Sequence, residues 1–137
     1  MGKMYFPDET AGITGEFKVV WIEHNVYNGR VKGMKIHTDF SVHNAFYKTG
    51  ALAVYFYYRN GNAIQDINGR FCASDQQVAT HESFFCNKDN KRFSDLVIFM
   101  PYNELHVISG SLLDFQLVIW IENVVIARSE LYHFSYK

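Results

Sequence analysis

Six histidines, two cysteines and seven aspartates are the residues of this chain best suited to chemistry, and their spacing decides which chemistry is open to them. Zinc sites usually draw ligands from close pairs such as C-x2-C or H-x3-H. His24, His37, His43, His81, His106 and His133 supply no such pair. The nearest two, His37 and His43, lie on one face of an alternating segment, about 20 Å apart at roughly 3.3 Å per residue. Cys72 and Cys86 have no C-x-x-C partner, and neither G-x-S-x-G nor H-E-x-x-H occurs. A Cys–His nucleophile would need His81 beside a cysteine. The cysteines read instead as small buried hydrophobes. Were strands to bring them within about 7 Å, a disulfide would contribute roughly 3 kcal/mol.

Calcium calls for six to eight oxygen ligands. The aspartates stand singly and never as D-x-D, so Asp66-Ile67-Asn68 and Asp89-Asn90 read as turn formers. No catalytic residue, metal ligand or cofactor is therefore expected. The binding candidates are aromatic. Tyr55, Phe56, Tyr57 and Tyr58 are consecutive, with Tyr47 nearby, so two rings must point to each side of a strand. An exposed face would make Tyr47, Tyr55, Tyr57 and Tyr58 a stacking platform for a sugar or a patch for a protein.

These side chains need strands to position them. Met34, Ile36, Phe40 and Val42, with Thr38 among them, alternate against Lys35, His37, Asp39, Ser41 and His43. That period of two predicts a strand with one wet face. Phe17–His24 and Ala51–Tyr58 are aromatic and β-branched runs. Further strands are expected over 64–67, 70–73, 78–85 and 96–100. Leu113–Ile121 alternates Leu113, Phe115, Leu117, Ile119 and Ile121 against Asp114, Gln116, Val118 and Trp120. Residues 124–127 and 131–136 are expected to form one bent strand broken near Arg128-Ser129-Glu130. Asn28-Gly29, Asn60-Gly61 and Asn68-Gly69 mark turns, and Pro101–Leu105 is the expected helical turn. The expected fold is all-β: an antiparallel two-sheet Greek-key sandwich of seven or eight strands, immunoglobulin-like or C2-like. The segment Leu105-x4-Gly110-x2-Leu113 resembles the corner before strand F of such folds, without the usual corner tyrosine.

A chain of 137 residues is expected to make one domain over 16–137, behind a flexible N-terminal segment over 1–15. It is large enough to bury a core without a metal or disulfide staple. Thirteen basic against fourteen acidic residues give a net charge of -1, and the densest basic group, Lys88, Lys91 and Arg92, is interrupted by Asp89 and reads as a solvated loop. Nucleic-acid binding, which draws on a basic stripe, is not expected. No apolar run approaches the ~20 residues of a membrane helix. No leader is visible in residues 1–15, which leans the expected location toward the cytoplasm.

Gly33-Met34-Lys35-Ile36-His37, Val54-Tyr55-Phe56-Tyr57 with Asn60-Gly61, Asp66-Ile67-Asn68-Gly69, Met100-Pro101-Tyr102-Asn103-Glu104-Leu105-His106 and the ending 129–136 together resemble a recurring bacterial module. That module is an uncharacterised β domain, often found toward the C-terminus of multidomain proteins, and the resemblance covers about residues 17–137. It implies an accessory domain with no assigned chemistry. Expected partners are another protein or other domains of a larger chain. A carbohydrate-binding sandwich using exposed Tyr and Trp is the alternative, and a small hydrolytic enzyme a remote one.

Overall fold

The structure is a computed structural model that describes residues 12–137. Seven strands follow in order: β1 (Thr14–Asn28), β2 (Val31–His43), β3 (Thr49–Tyr58), β4 (Ala79–Phe85), β5 (Asn90–Pro101), β6 (Leu113–Ile121) and β7 (Val124–Phe134). Among the described residues a single 3-10 turn, η1 (Tyr102–Leu105), stands where Pro101 ends the β5 ladder. Among the described residues the strands form two antiparallel sheets, β1-β2-β5 and β4-β3-β6-β7. The chain changes sheet three times, between β2 and β3, β4 and β5, and β5 and β6.

The alternation expected from the sequence determines what lies between the sheets. Met34, Ile36, Phe40 and Val42 of β2 face Leu52, Val54 and Phe56 of β3 and the odd-numbered residues Leu113 to Ile121 of β6, all fully buried. Phe40 bridges the layers, with ring centroids 5.4 Å from Phe84 and 4.9 Å from Phe93. Each such side chain contributes about 1.5–3 kcal/mol through removal from water. Gly33 is required by close approach: a Cβ there would stand 2.2 Å from the Met100 carbonyl oxygen across the β2–β5 ladder. The β6–β7 hairpin closes on Glu122 and Asn123, both at positive φ (46° and 71°), as a type I′ turn demands.

Several expectations are corrected. Residues 64–67 and 70–73 are not strands; only isolated bridges, Gln65 to Gln77 and Cys72 to Val78, mark them. The outer face of β2 is not wholly wet, since His37 and Ser41 are buried. Trp21 from β1 lies over His37 at 3.6 Å between centroids, almost parallel. Lys91 and Arg92 belong to β5 and not to a loop, and Arg92 grips Asp39 through two bonds of 3.1 and 2.7 Å. The break expected at residues 128–130 is a bulge within a continuous β7, where the Ser129 hydroxyl accepts the Leu117 amide at 2.9 Å. The domain boundary expected after residue 15 falls inside β1, and Ile13 is already in the core. The rest of that N-terminal segment, residues 1–11, lies outside the described residues.

Candidate functional site

Residues of β3 with odd numbers point away from the core, so Ala51, Ala53, Tyr55 and Tyr57 share the outer face of the four-stranded sheet. On β6 the same face carries Trp120, Val118, Gln116 and Asp114. Trp120 pairs with Ala51, yet its indole Nε1–H donates to the Tyr55 hydroxyl at 3.1 Å. The bond joins rings on either side of the Ala53–Val118 pair, and both of those outward residues are buried. Small residues at Ala51, Ala53 and Ala79 leave room beside the rings. Two hollows of about 190 and 290 Å³ result, sharing Tyr55, Ala73 and Trp120. Together they make a trough with an aromatic floor.

The rim of the trough is polar. Thr80 and His81 line one hollow, and Ser74, Asp75, Gln77 and Arg128 the other. The loop carrying Ser74 and Asp75 is tied to β3 by Gln77, whose buried side-chain amide donates to the Phe56 carbonyl at 3.0 Å. The Asp75 carboxylate accepts the Gln77 amide at 3.1 Å, closing a local turn.

The four tyrosines expected to bind are not brought together on one face. Tyr55 and Tyr57 line the trough. Tyr58 falls on the opposite face, at the end of β3, as the period of two requires. Tyr47 lies in the connection leading to β3, at φ 64°, and is 75% exposed. Its ring packs against Phe46 and Phe85, with centroids 5.8 and 5.3 Å away. Trp120, which joins the platform in place of Tyr58, was missed by the sequence reading. Its outward parity on β6 was legible, but its pairing with β3 was not.

No Cys–His nucleophile is assembled at Cys86. His81 faces outward on β4, whereas Cys86 is fully buried, and burial pushes its thiol above the ordinary range against a smaller opposing effect of Lys91. Cys72 shares the first hollow with His81, but no hydrogen bond links them among the described residues. Both thiols are free. Burial holds His24 below its ordinary pKa.

A second polar cluster joins residues distant in sequence. Asp66 accepts the amides of Asn68, at 3.2 Å, and Gly69, and receives His106 Nε2 at 3.1 Å. The same Nε2 stands 3.5 Å from Glu104 Oε2, which accepts the Asn68 side-chain amide at 2.9 Å. Burial alone would raise the Asp66 carboxyl, but the Gly69 amide, His106 and the Asn68 amide outweigh it and hold it below the usual range. The sequence marked Asp66 and Asn68 as turn formers, which they are. That His106 and Glu104 converge on them follows from η1, whose C-cap His106 adopts φ 58°, ψ 35°.

No family model matches the chain, and no curated protein matches it. A solved structure of a candidate β-galactosidase from Bacteroides fragilis is similar over 93% of this chain, at 12% identity and a TM-score of 0.40. The chain spans 16% of that protein's length. Likeness of this degree carries no inference about fold or activity. No helix among the described residues is long and apolar enough to cross a membrane.

Proposed function

We propose that this chain is a non-catalytic binding module that takes a saccharide in the trough on the outer face of the four-stranded sheet. The observation that carries this reading is the Trp120–Tyr55 pair, two joined rings bordered by Tyr57 and by hydrogen-bonding side chains. A pyranose presents one apolar face and a rim of hydroxyls. An aromatic floor stacks on the first, and Ser74, Asp75 and Arg128 suit the second. The strand order, β1-β2-β5 facing β4-β3-β6-β7, supports an immunoglobulin-like reading of the sandwich. Such a domain fits an accessory role beside other domains, as the resemblance to the bacterial module implies.

A protein partner is the second reading, favoured by one observation. Phe46, Tyr47 and Phe85 are all exposed, and the rings of Phe46 and of Phe85, at the end of the edge strand β4, both pack against Tyr47. Solvent-facing aromatic clusters of this kind mark contact surfaces.

An amide NMR titration with a mixed oligosaccharide pool tests the first reading. Shifts confined to the Trp120 indole N–H and the amides of residues 73–77 support it. A spectrum unchanged at millimolar sugar would remove it, and the Phe46–Tyr47–Phe85 cluster would become the working surface.

A further inference from the structure

We infer that Asp66, Glu104 and His106 form a site for one divalent transition metal of the zinc type, independent of the sugar trough. The three ligating atoms lie within 4.8 Å of one another. His106 Nε2 stands 3.1 Å from Asp66 Oδ1 and 3.5 Å from Glu104 Oε2. Four-coordinate zinc holds N and O ligands at about 2.0–2.2 Å, which places neighbouring ligand atoms roughly 3.3–3.6 Å apart. The His106–Glu104 separation falls within that range and the His106–Asp66 separation just short of it, so the imidazole already stands at near-ligand spacing from both carboxylates.

Charge gives a separate reason. The Asp66 side chain is fully buried, and those of Glu104 and His106 are 12% and 11% exposed. Even a protonated imidazole leaves two buried carboxylates one positive charge short. The nearest guanidinium, Arg70, is 3.7 Å from Glu104 and 74% exposed, so it compensates from solvent and not from within. A cation at the point of convergence supplies the positive charge that the imidazole and the exposed Arg70 leave short.

The surroundings orient the ligands. The Asn68 and Gly69 amides occupy Asp66 Oδ2 and leave Oδ1 aimed at the imidazole. The Asn68 side chain steadies Glu104. Outer contacts of this sort orient metal ligands. Calcium, which wants six to eight oxygens, fits a three-ligand N/O set poorly; zinc with a water in the fourth position fits it. The bound ion would clamp the turn at residues 66–69 to η1.

The test uses the chain stripped with chelator and titrated with CoCl2, then with ZnCl2. One equivalent of Co²⁺ should develop the visible absorption of a four-coordinate site, and Zn²⁺ should bleach it. Glu104→Gln and His106→Gln should each weaken binding by at least about tenfold. His37→Gln, in mid-β2 between Glu23 and Asp95, should leave binding unchanged. No Co²⁺ spectrum and no Zn²⁺ uptake by the unaltered chain would overturn the site. So would equal affinity in folded Glu104→Gln and His106→Gln, or loss of binding in His37→Gln. Should both ligand variants fail to fold, Zn²⁺-induced shifts in the unaltered chain decide: shifts at Gly69 and His106 support the site, and shifts only elsewhere overturn it.

Discussion

Trp120 donates to the Tyr55 hydroxyl at 3.1 Å across the β3–β6 pair, and the two outward residues between them, Ala53 and Val118, are buried. One hydrogen bond therefore converts part of a solvent-facing sheet surface into a second, smaller apolar layer. It also sets the floor of the trough. Removing the donor with Trp120→Phe should cost about 0.5–1.5 kcal/mol in a urea melt, the usual net worth of such a bond. Tyr55→Phe should cost a similar amount, and the double variant less than the sum, because one bond is shared. Full additivity would show that the pair is not coupled.

The core stripe makes a contrast that a denaturant series can check. Phe115→Ala or Ile119→Ala should lose roughly 2–5 kcal/mol, since both side chains are fully buried. Lys35→Ala, on the outer face of β2, should lose less than about 0.5 kcal/mol. Comparable losses at the two sets would mean that the strands are registered differently. Ser41 belongs with neither group, because it is buried on the outer face.

Thr38 sits fully buried on the core face of β2, and its Oγ1 has no hydrogen-bond partner among the described residues. A buried hydroxyl left unsatisfied costs about 1–3 kcal/mol. Thr38→Val keeps the shape and removes the orphaned group, so it should raise the urea midpoint. A lowered midpoint would reveal a partner for the hydroxyl.

The two thiols should separate by reactivity. Cys72 is half-buried at the edge of the trough, while Cys86 is sealed in the core with its thiol held protonated by burial. Under native conditions a disulfide reagent should titrate one thiol promptly, and the second only with unfolding. Prompt labelling of both would contradict the packing around Cys86.

Two groups give opposite pH dependence. The folded-state pKa of Asp66 lies below its unfolded value. Its contribution to stability is complete above the unfolded pKa, about 3.9, and is lost as pH falls through the folded value. Asp66→Asn should flatten that acid limb in urea melts between about pH 2 and 5. His43 behaves the other way: bonds to Asn90 and then Glu16 raise it. Its stabilisation is present below the unfolded pKa and is lost as pH rises through the folded one. The pair is exposed, so the stability effect is small. A ring-proton NMR titration should still place His43 above its ordinary value, and Glu16→Gln should lower the midpoint.

Alternation along β2, β3 and β6 was enough to read the core from the sequence, because a strand's period of two ties each residue to a face regardless of its partner. Phe40, Phe56 and Phe115 were legible as core in that way, and the same rule forecast an all-β sandwich. What a residue meets across the sheet depends on pairing, and pairing is set by sequence-distant strands. That is why Trp120 joined Tyr55 unannounced, while Tyr58, only three residues beyond Tyr55, lies on the opposite face. His37 read as wet because nothing in its own strand shows that Trp21 will stack on it. Asp66 and His106 lie forty residues apart and meet only because η1 turns back toward the 66–69 turn. Local periodicity determined the layers of this protein; contacts between distant segments, held by the sandwich, decided its candidate sites.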